Sequence, residues 1–332
     1  MYGRPLYKAY RELGVTLTIV PFPTDLSASL DLAEKALRSR LAPGERFEDF
    51  WPEVSSEIRA GRLNGGLLRE HHDTRGLATW QPAGPFGAAV RLLYLEPPRA
   101  DAEGYRDALD AVSHAAGAFA FVTGQLSGLS EAEEASLLGG RGFAPFGRSE
   151  MAFPPVRPVP VAATPPGVRV RPVVAGDEPE LARLHERAYW NHLDRYLATE
   201  DADPARDADR QLREYFAGRY GEVLSPGSSA VDLDGRIVAA VIATRRSPEA
   251  LIIDVMSDPA HQRRGFARLA LTDSVRALRE RGEAKIILNV TEGNDPAVRL
   301  YTRLGFVRTI GPTREWYDAR RLKVEQPRAL AR

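Results

Sequence analysis

The sequence of 332 residues contains no cysteine. Disulfide bonds, thiolate nucleophiles and cysteine-ligated metals are therefore excluded. The N-terminal segment has no apolar core of the signal-peptide type, and no later run approaches the about 20 apolar residues of a membrane span. We therefore expect a cytoplasmic protein that has no membrane partner.

The sequence also has no excess of charge of either sign, because 45 Lys and Arg residues balance 45 Asp and Glu residues. A broad basic surface for nucleic acid is not expected at zero net charge. His71, His72 and His114 are isolated and predicted to be solvated. No group of His, Asp and Glu has the spacing of metal ligands, so we expect no metal. The sequence does not indicate an oligomeric state.

Proline is concentrated in residues 154–167, which read PPVRPVPVAATPPG. Proline removes main-chain donors and favours extended neighbours, which is typical of a linker or a surface strap. A chain of this length accommodates two domains of roughly 100–200 residues each. We therefore predict a first domain over 1–153, a linker over 154–167, a second domain over 168–320 and a polar tail over 321–332.

The order of predicted elements in the first domain is repeated in the second. A strand, a long helix, a strand and a shorter helix follow one another on both sides of the linker. Asp234-Gly235 predicts a type I′ hairpin turn in the second domain. We further predict a lead-in helix over Leu6–Leu13, a last strand of the first domain at Phe146–Phe153 and a last strand of the second at Arg314–Asp318.

The most informative stretch begins with the apolar strand Leu251–Ser257, which breaks into a basic glycine turn before a helix. The N–H groups of such a turn and the helix dipole both favour an anion. Gly265 allows close approach of the main chain, and nearby arginines add charge. The alternative is an ordinary turn with solvated arginines. The turn comprises Gln262, Arg263, Arg264, Gly265, Phe266, Ala267 and Arg268, of which the glycine main chain and the arginines are the candidate anion ligands.

This turn resembles that of the GCN5-related N-acetyltransferase (GNAT) superfamily, which begins with Arg or Gln, has Gly fourth and Gly or Ala sixth. Asn294 and the Leu300–Phe306 segment match the second half of the same family. The resemblance implies an α/β (α+β) fold with two tandem GNAT-like domains, each a mixed, largely antiparallel central sheet flanked by helices. It also implies that acetyl-CoA or coenzyme A binds, with its pyrophosphate at the turn and its pantetheine arm along Val255, Met256 and Ser257.

The resemblance makes Tyr301 the general acid that protonates the leaving thiolate, and the alternative is a core tyrosine. Asn294 either binds the cofactor or caps the next helix at Pro296. Asp254, the acid within the central strand, is the candidate base, although a buried Asp often satisfies a neighbour instead. Glu292 is a second candidate base.

The acceptor is expected to be an amine of a small molecule or a peptide. In this fold the loop between the first two helices shapes the acceptor pocket, so the resemblance assigns Tyr189, Trp190 and His192 to it. An aromatic loop studded with polar residues suits a small-molecule site, whereas the alternative places Tyr189 and Trp190 in the core.

A single constant offset aligns the Leu137–Phe143 segment with Leu300–Phe306 and the Arg99–Gly104 segment with the basic turn. Leu138 then replaces Tyr301, Asp101 replaces Arg264 and Ala102 replaces Gly265. A carboxylate repels a pyrophosphate. The first domain is therefore interpreted as a degenerate, structural copy.

The sequence predicts an N-acyltransferase that passes an acetyl group from acetyl-CoA to an amine by direct attack. The tandem arrangement is similar to that of mycothiol synthases. One alternative is a non-catalytic protein that binds or senses acetyl-CoA. Another is aminoacyl transfer from tRNA by the Fem-type relatives of the fold, which would require a broader basic surface.

Overall fold

The computed structural model describes residues 17–41, 45–123, 125–160, 162–190, 192–197, 201, 203–246 and 248–320. The chain divides into two compact units. The described part of the first comprises residues 17–147 and 313–320, and the second comprises Arg148–Pro312. The predicted helix Leu6–Leu13 and the predicted tail over 321–332 lie outside the described residues. In the described part, no helix combines the length and apolarity needed to cross a membrane.

Up to Phe153 the elements follow the predicted alternation. They are β1 (Thr18–Pro21), α1 (Ser27–Arg40), α2 (Phe47–Arg59), β2 (Asn64–Glu70), β3 (Asp73–Pro82), β4 (Ala88–Leu95), α3 (Ala102–Ala116), β5 (Phe119–Thr123), α4 (Glu131–Gly139), β6 (Phe143–Phe146) and β7 (Arg148–Phe153).

The later elements repeat this order. They are β8 (Val168–Pro172), α5 (Glu178–Tyr189), α6 (Asp194–Leu197), α7 (Pro204–Phe216), β9 (Ser229–Leu233), β10 (Arg236–Arg246), β11 (Glu249–Ser257), α8 (Phe266–Glu280), β12 (Ile286–Thr291), α9 (Asp295–Leu304), β13 (Val307–Ile310) and β14 (Glu315–Asp318). The hairpin turn between β9 and β10 is confirmed, because Asp234 and Gly235 have φ of 51° and 75°, as a type I′ turn requires.

Among the described residues, the first unit is a seven-stranded sheet in the order β1-β2-β3-β4-β5-β14-β6, in which β4 and β5 form the parallel pair. Successive leucines of β2 serve different cores, as strand alternation dictates. Leu68 belongs to the core that includes Leu109 and Val112 of α3. Leu67 belongs to the core that includes Leu32 and Ala33 of α1. Helices therefore cover both faces of the sheet.

The second unit is a seven-stranded sheet in the order β13-β7-β12-β11-β10-β9-β8, and its parallel pair is β11 with β12. Helix α8 places Leu269, Val275 and Leu278 on one face at helical spacing, where they join the core that includes Val241 of β10. Burying each such side chain stabilises the unit by about 1.5–3 kcal/mol. Helices α5 and α7 pack on the opposite face. The predicted fold class is confirmed in both units.

The predicted sheet membership of two strands is wrong. Strand β7 was assigned to the first sheet, but it lies between β12 and β13 of the second. Strand β14 was assigned to the second sheet, but it lies between β5 and β6 of the first. Their side chains explain the exchange: Phe153 packs on Phe306 at 5.4 Å between ring centroids, and the Trp316 indole donates to Glu134 Oε1 at 2.6 Å.

The proline-rich segment is consequently not the boundary between the units. The second unit begins at Arg148, before this segment. Val159 and Ala162 pack against the core of the second unit, whereas Val156 is 93% exposed. Of the two roles considered for residues 154–167, the structure therefore supports a strap along the second unit.

Candidate active site

A β-bulge in the second unit determines the direction of Asp254. Ile242 pairs with Asp254 and Ala243 pairs with Ile252, so Ile253 is the additional residue in β11. Such a bulge redirects the side chains that follow it. Ile252 belongs to the core beneath α8, whereas Met256 belongs to the core beneath α5 and α7. Asp254 contacts α5, where it accepts a hydrogen bond from the Tyr189 hydroxyl at 2.6 Å.

Beyond the bulge, β11 separates from β12. Their ladder consists of the pairs from Ala250–Ile286 to Ile252–Leu288, and it has no further pair in the described residues. Strand β12 continues in its pairing with β7 on its other side as far as Thr291. Of the predicted strand residues, Met256 has its side chain in the core, and Val255 and Ser257 are half-buried. The separation leaves main-chain groups of β11 available to an extended ligand.

The predicted anion turn follows this separated strand after a short 3₁₀ turn at Pro259–His261. Arg263 and Gly265 both have positive φ, 62° and 85°, and α8 begins at Phe266. The main-chain bond from Leu269 N–H to Gly265 O is the first of the helix, so the preceding N–H groups have no partner within it. A Cβ on Gly265 would meet no atom within 4 Å. The helix N-terminus is therefore open to a ligand.

The basic side chains of the turn are not neutralised by the protein. Arg263, Arg264 and Arg268 are exposed, and among the described residues no carboxylate forms an ion pair with any of them. The Arg264 guanidinium lies 5.1 Å from the ring centroid of Phe266, which is itself buried in the core. Free N–H groups and unpaired guanidinium groups together form a donor set that fits a pyrophosphate.

Asn294 immediately precedes α9, and Tyr301 lies in the last turn of that helix. Asn294 Oδ1 accepts a hydrogen bond from Ala297 N–H at 3.3 Å, so this residue caps α9, which was one of its two predicted roles. Tyr301 is 7% exposed and packs on Phe306. No described residue forms a hydrogen bond with its hydroxyl. Burial, followed by the charges of Asp194 and Asp254, raises the pKa of Tyr301, so the phenol keeps its proton.

The two predicted bases are already engaged by the protein. The Asp254 side chain is 2% exposed, and its Oδ2 lies 3.5 Å from His185 Nε2. Burial raises the pKa of Asp254, although His185 and Tyr189 partly oppose this effect. Glu292 forms an ion pair with Arg308 at 2.8 Å and accepts a hydrogen bond from the Ser149 hydroxyl. Tyr189 occupies Asp254 Oδ1, and Oδ2 is buried and has no hydrogen-bond partner among the described residues.

The predicted acceptor residues lie at and below an open cleft of about 810 Å³. Trp190, 54% exposed, and His192 line this cleft together with Gln262 of the basic turn. Tyr189 lies beneath it, with its ring 6.0 Å from that of His192. The size falls within the range of small-molecule sites. The cleft brings the predicted acceptor loop and the predicted cofactor turn together.

Sequence reasoning assigned no role to three polar residues at this site, although one of them, Asp194, belongs to the loop that was predicted to shape the acceptor pocket. His185 contacts Asp254 from α5, and Asp194 lies 3.3 Å from His192 Nδ1. Thr291 donates a hydrogen bond to Asp194 Oδ1 across 97 residues of chain. The close spacing of His192 and Asp194 was a local signal that could have been noticed. The Thr291 contact had no such signal, because only the tertiary fold brings it near.

In the first unit, the protein itself occupies the corresponding positions. Strand β4 pairs with β5 only from Ala88 to Val90 within the described residues. Farther along β4, the Leu95 N–H donates to the buried Tyr105 hydroxyl at 3.4 Å. At the start of α3, the Asp101 carboxylate accepts from Gly104 N–H at 2.7 Å. An internal phenol and an internal carboxylate therefore occupy the donors that a ligand would need.

A sequence model described as "Acetyltransferase (GNAT) family" matches residues 187–306, which lie within the second unit. The second unit belongs to the GNAT family. Members of this family use acetyl-CoA as acetyl donor. The mycothiol acetyltransferase of Catenulispora acidiphila is 29% identical over 177 residues, which cover 52% of this chain and 55% of that protein. The chain thus spans about half the length of the curated relatives that it matches.

Two solved GNAT structures resemble both units. The GCN5-related N-acetyltransferase of Sphaerobacter thermophilus has a TM-score of 0.59 at 19% identity, over 90% of this chain and 94% of that one. A tandem GNAT protein from the clavulanic acid biosynthesis pathway has a TM-score of 0.51 at 16% identity, over 90% and 97% of the two chains. At these identities the likeness concerns the fold alone, and it agrees with the predicted tandem of two GNAT-like folds.

Proposed function

We propose that the second unit transfers an acetyl group from acetyl-CoA to an amine of a small molecule or a peptide. The observation that carries this proposal is the short connection, through a 3₁₀ turn at Pro259–His261, from the separated part of β11 to the turn at Arg263–Gly265. Main-chain groups without a strand partner are followed by open helix N–H groups and unpaired arginines. A ligand that joins an extended amide-bearing arm to a pyrophosphate fits this sequence of features.

In this proposal each predicted cofactor residue has a defined task. The main chain of Val255, Met256 and Ser257 pairs with the pantetheine arm, as a neighbouring strand would. Gly265 and the N–H groups after it, together with the nearby arginines, bind the pyrophosphate. The remaining members of this set act through side-chain polarity or packing: Gln262, Phe266 and Ala267.

Tyr301 is the proposed general acid. Acetyl-CoA supplies a thioester, whose sulfur needs a proton as it leaves. The Tyr301 phenol is protonated because its pKa is raised by burial and by neighbouring carboxylates. Its hydroxyl has no partner in the described part of the chain and so is available to the sulfur. A protein that only sensed acetyl-CoA would have no use for such a proton donor.

Asp254 is proposed to orient Tyr189 rather than to remove a proton from the amine. Its Oδ1 holds the Tyr189 hydroxyl at 2.6 Å, and Tyr189 in turn lies beneath the cleft beside His192. The predicted acceptor residues Trp190 and His192 contact the amine in this proposal. The mycothiol acetyltransferases among the relatives make the unacetylated form of mycothiol the first acceptor to examine.

The test combines binding with chemistry. Titration calorimetry of the whole protein with coenzyme A should show binding. Acetyl-CoA should then acetylate at least one amine in a panel of unacetylated mycothiol, an alkyl amine, an N-terminal peptide amine and a lysine peptide, as measured from product mass. Absence of coenzyme A binding would refute the proposed function. Binding without acetylation of any amine would favour a sensor instead.

A further inference from the structure

His192 lies in an arrangement that differs from that of the two predicted bases. Its side chain is 32% exposed and lines the cleft, whereas Asp254 and Glu292 are enclosed. Its Nδ1 faces Asp194, and Thr291 on β12 holds the other oxygen of that carboxylate. No described residue forms a hydrogen bond with Nε2, the nitrogen on the opposite edge of the ring. One ring nitrogen is therefore anchored, and the other is free for a ligand.

Two groups compete for the anchored nitrogen. The Asp194 N–H donates to Nδ1 at 3.2 Å, which requires Nδ1 without a proton. Asp194 Oδ2 lies 3.3 Å from the same atom, which favours Nδ1 with a proton. The ring thus has a partner in either state, and the carboxylate stabilises the imidazolium. Such an environment allows the ring to gain and lose a proton without leaving its place.

The groups around His192 come from several elements. Tyr189 contacts its ring from α5, and Arg148 of β7 acts on Asp194. The other charged groups that line the cleft are Arg183, Glu186, Arg187 and Asp258, of which Arg187 and Asp258 form an ion pair. Burial lowers the pKa of His192. The hydrogen bond with Asp194 and the negative charge of the Asp194 carboxylate outweigh burial, so the pKa is raised above its usual value. Burial opposes ionisation of Asp194, but His192, Arg148 and Thr291 together lower its pKa, so it remains a carboxylate.

We propose that His192 is the general base for the acceptor amine and that Asp194, itself held by Thr291, is the residue that positions it. This inference rests on the proposed acetyl transfer. His192 combines access to the cleft with an anchored ring, and the charge of Asp194 also acts on Tyr301, the proposed acid. The charge of Asp194 therefore acts on both the proposed base and the proposed acid.

The proton and bond balance is simple. His192 Nε2 takes one proton from the acceptor ammonium, and the neutral amine nitrogen forms the new C–N bond while the C–S bond breaks. Tyr301 gives its phenolic proton to the sulfur and regains one from the new amide nitrogen. His192 then releases its proton to water. One proton is released in each turnover, as the conversion of an ammonium and a thioester into an amide and a thiol requires.

The first test needs no substrate. The chain has six histidines, so the imidazole signal that is lost in His192→Gln identifies His192 in NMR titrations of the whole protein. It should titrate above the usual histidine pKa of about 6.5, and Asp194→Asn should lower that value. A His192 pKa at or below 6.5, or one that does not respond to Asp194→Asn, would overturn the proposal.

The second test separates catalysis from structure by comparing His192→Asn with His192→Gln. The Asn amide can replace Nδ1 and still contact Asp194, but neither variant titrates. Both should lower kcat/KM for the fastest amine of the panel by about 10²–10⁴-fold and remove the acidic limb of its pH profile. His72→Gln, an exposed histidine of the first unit, is the matched control and should retain the wild-type profile.

Three results would contradict the role of His192. They are a His192→Asn rate within about threefold of wild type, an acidic limb that persists in either variant, and a tenfold loss of coenzyme A affinity, which would place His192 in the donor site. These outcomes differ from failure of the proposed function, in which the wild-type protein neither binds coenzyme A nor acetylates an amine.

Discussion

At the scale of single residues, burial has opposite consequences for two acids of the second unit. Tyr301 and Asp254 are both almost fully buried, and burial raises the pKa of each. A phenol that keeps its proton remains useful as an acid at neutral pH. A buried carboxyl group instead resists ionisation. In Asp254, Oδ1 accepts a hydrogen bond from Tyr189, whereas Oδ2 has only the 3.5 Å contact with His185.

Tyr301→Phe is expected to lower kcat by about 10²–10⁴-fold, because it removes the proposed proton donor. The fold should tolerate the change, since no described residue loses a hydrogen-bond partner. Steady-state kinetics and calorimetry check the two parts, and coenzyme A binding should remain. Tyr94→Phe, in the first unit, is the control. Near-normal turnover of Tyr301→Phe would remove Tyr301 from the chemistry.

Asp254→Asn is expected to stabilise the second unit increasingly as pH rises. The folded pKa of Asp254 is raised above its usual 3.8, so folding favours the protonated form. Wild-type stability therefore falls as pH increases from 3.8 through the raised value, by up to about 1.4 kcal/mol per unit of the difference. Asn retains an acceptor for Tyr189 and does not titrate.

Urea unfolding at pH 4 and pH 8 measures this difference, which should be small at the lower pH and favour the variant at the higher. A variant that is less stable at pH 8 would show that the ionised carboxylate stabilises the fold. Activity provides a second reading. A loss smaller than the about 10²-fold expected for a general base agrees with a positioning role for Asp254.

The sequence predicted the positions of individual residues best where neighbouring residues determine the local geometry. The capping role of Asn294 and the position of Gly265 at a helix start follow from neighbouring residues, and the structure has both. The contact between Thr291 and Asp194 did not follow, because it joins a strand end to a distant loop. The role of Asp254 changed for the same reason, because its burial beneath α5 is a tertiary property.

At the scale of elements, the turn before α8 combines a left-handed glycine with an open side. Gly265→Ala should cost about 1–2 kcal/mol, because φ of 85° is unfavourable for a residue with a Cβ. Relief of this strain would redirect the N–H groups that follow. We expect coenzyme A affinity to fall about tenfold, equivalent to about 1.4 kcal/mol.

Gly282→Ala is the matched control for this change. Gly282 has the same φ of 85°, also meets no atom within 4 Å, and lies just beyond the C-terminal end of the same helix. Both variants should lose similar stability in urea unfolding, and only Gly265→Ala should weaken binding in calorimetry. Equal affinities in the two variants would mean that the turn does not bind the pyrophosphate.

Elements themselves were largely predictable, but their partners were not. Alternation and apolar content located β7 and β14 correctly and gave no information on which sheet each would join. The sequence did not predict the bulge at Ile253 either, because a bulge arises from the pairing of two strands. The separation of β11 from β12 was expected only from the family resemblance.

At the scale of the whole molecule, the two units share a topology but differ at the cofactor-binding positions. These positions are open in the second unit and occupied by internal side chains in the first. We expect one coenzyme A per chain, because Tyr105 and Asp101 occupy the donors of the first unit. Titration calorimetry with coenzyme A gives this number directly. A stoichiometry of two would show that a ligand displaces these internal groups and that the first unit still binds a nucleotide.

The exchange of β7 and β14 also determines the order in which the two sheets can be completed during synthesis on the ribosome. Strand β14 is synthesised after residues 148–312 of the second unit, yet it belongs between β5 and β6 of the first. Until then those two strands present unpaired edges, which are prone to wrong pairing. The unit that is made first is therefore completed last, whereas β7 is already present when the rest of its own sheet emerges.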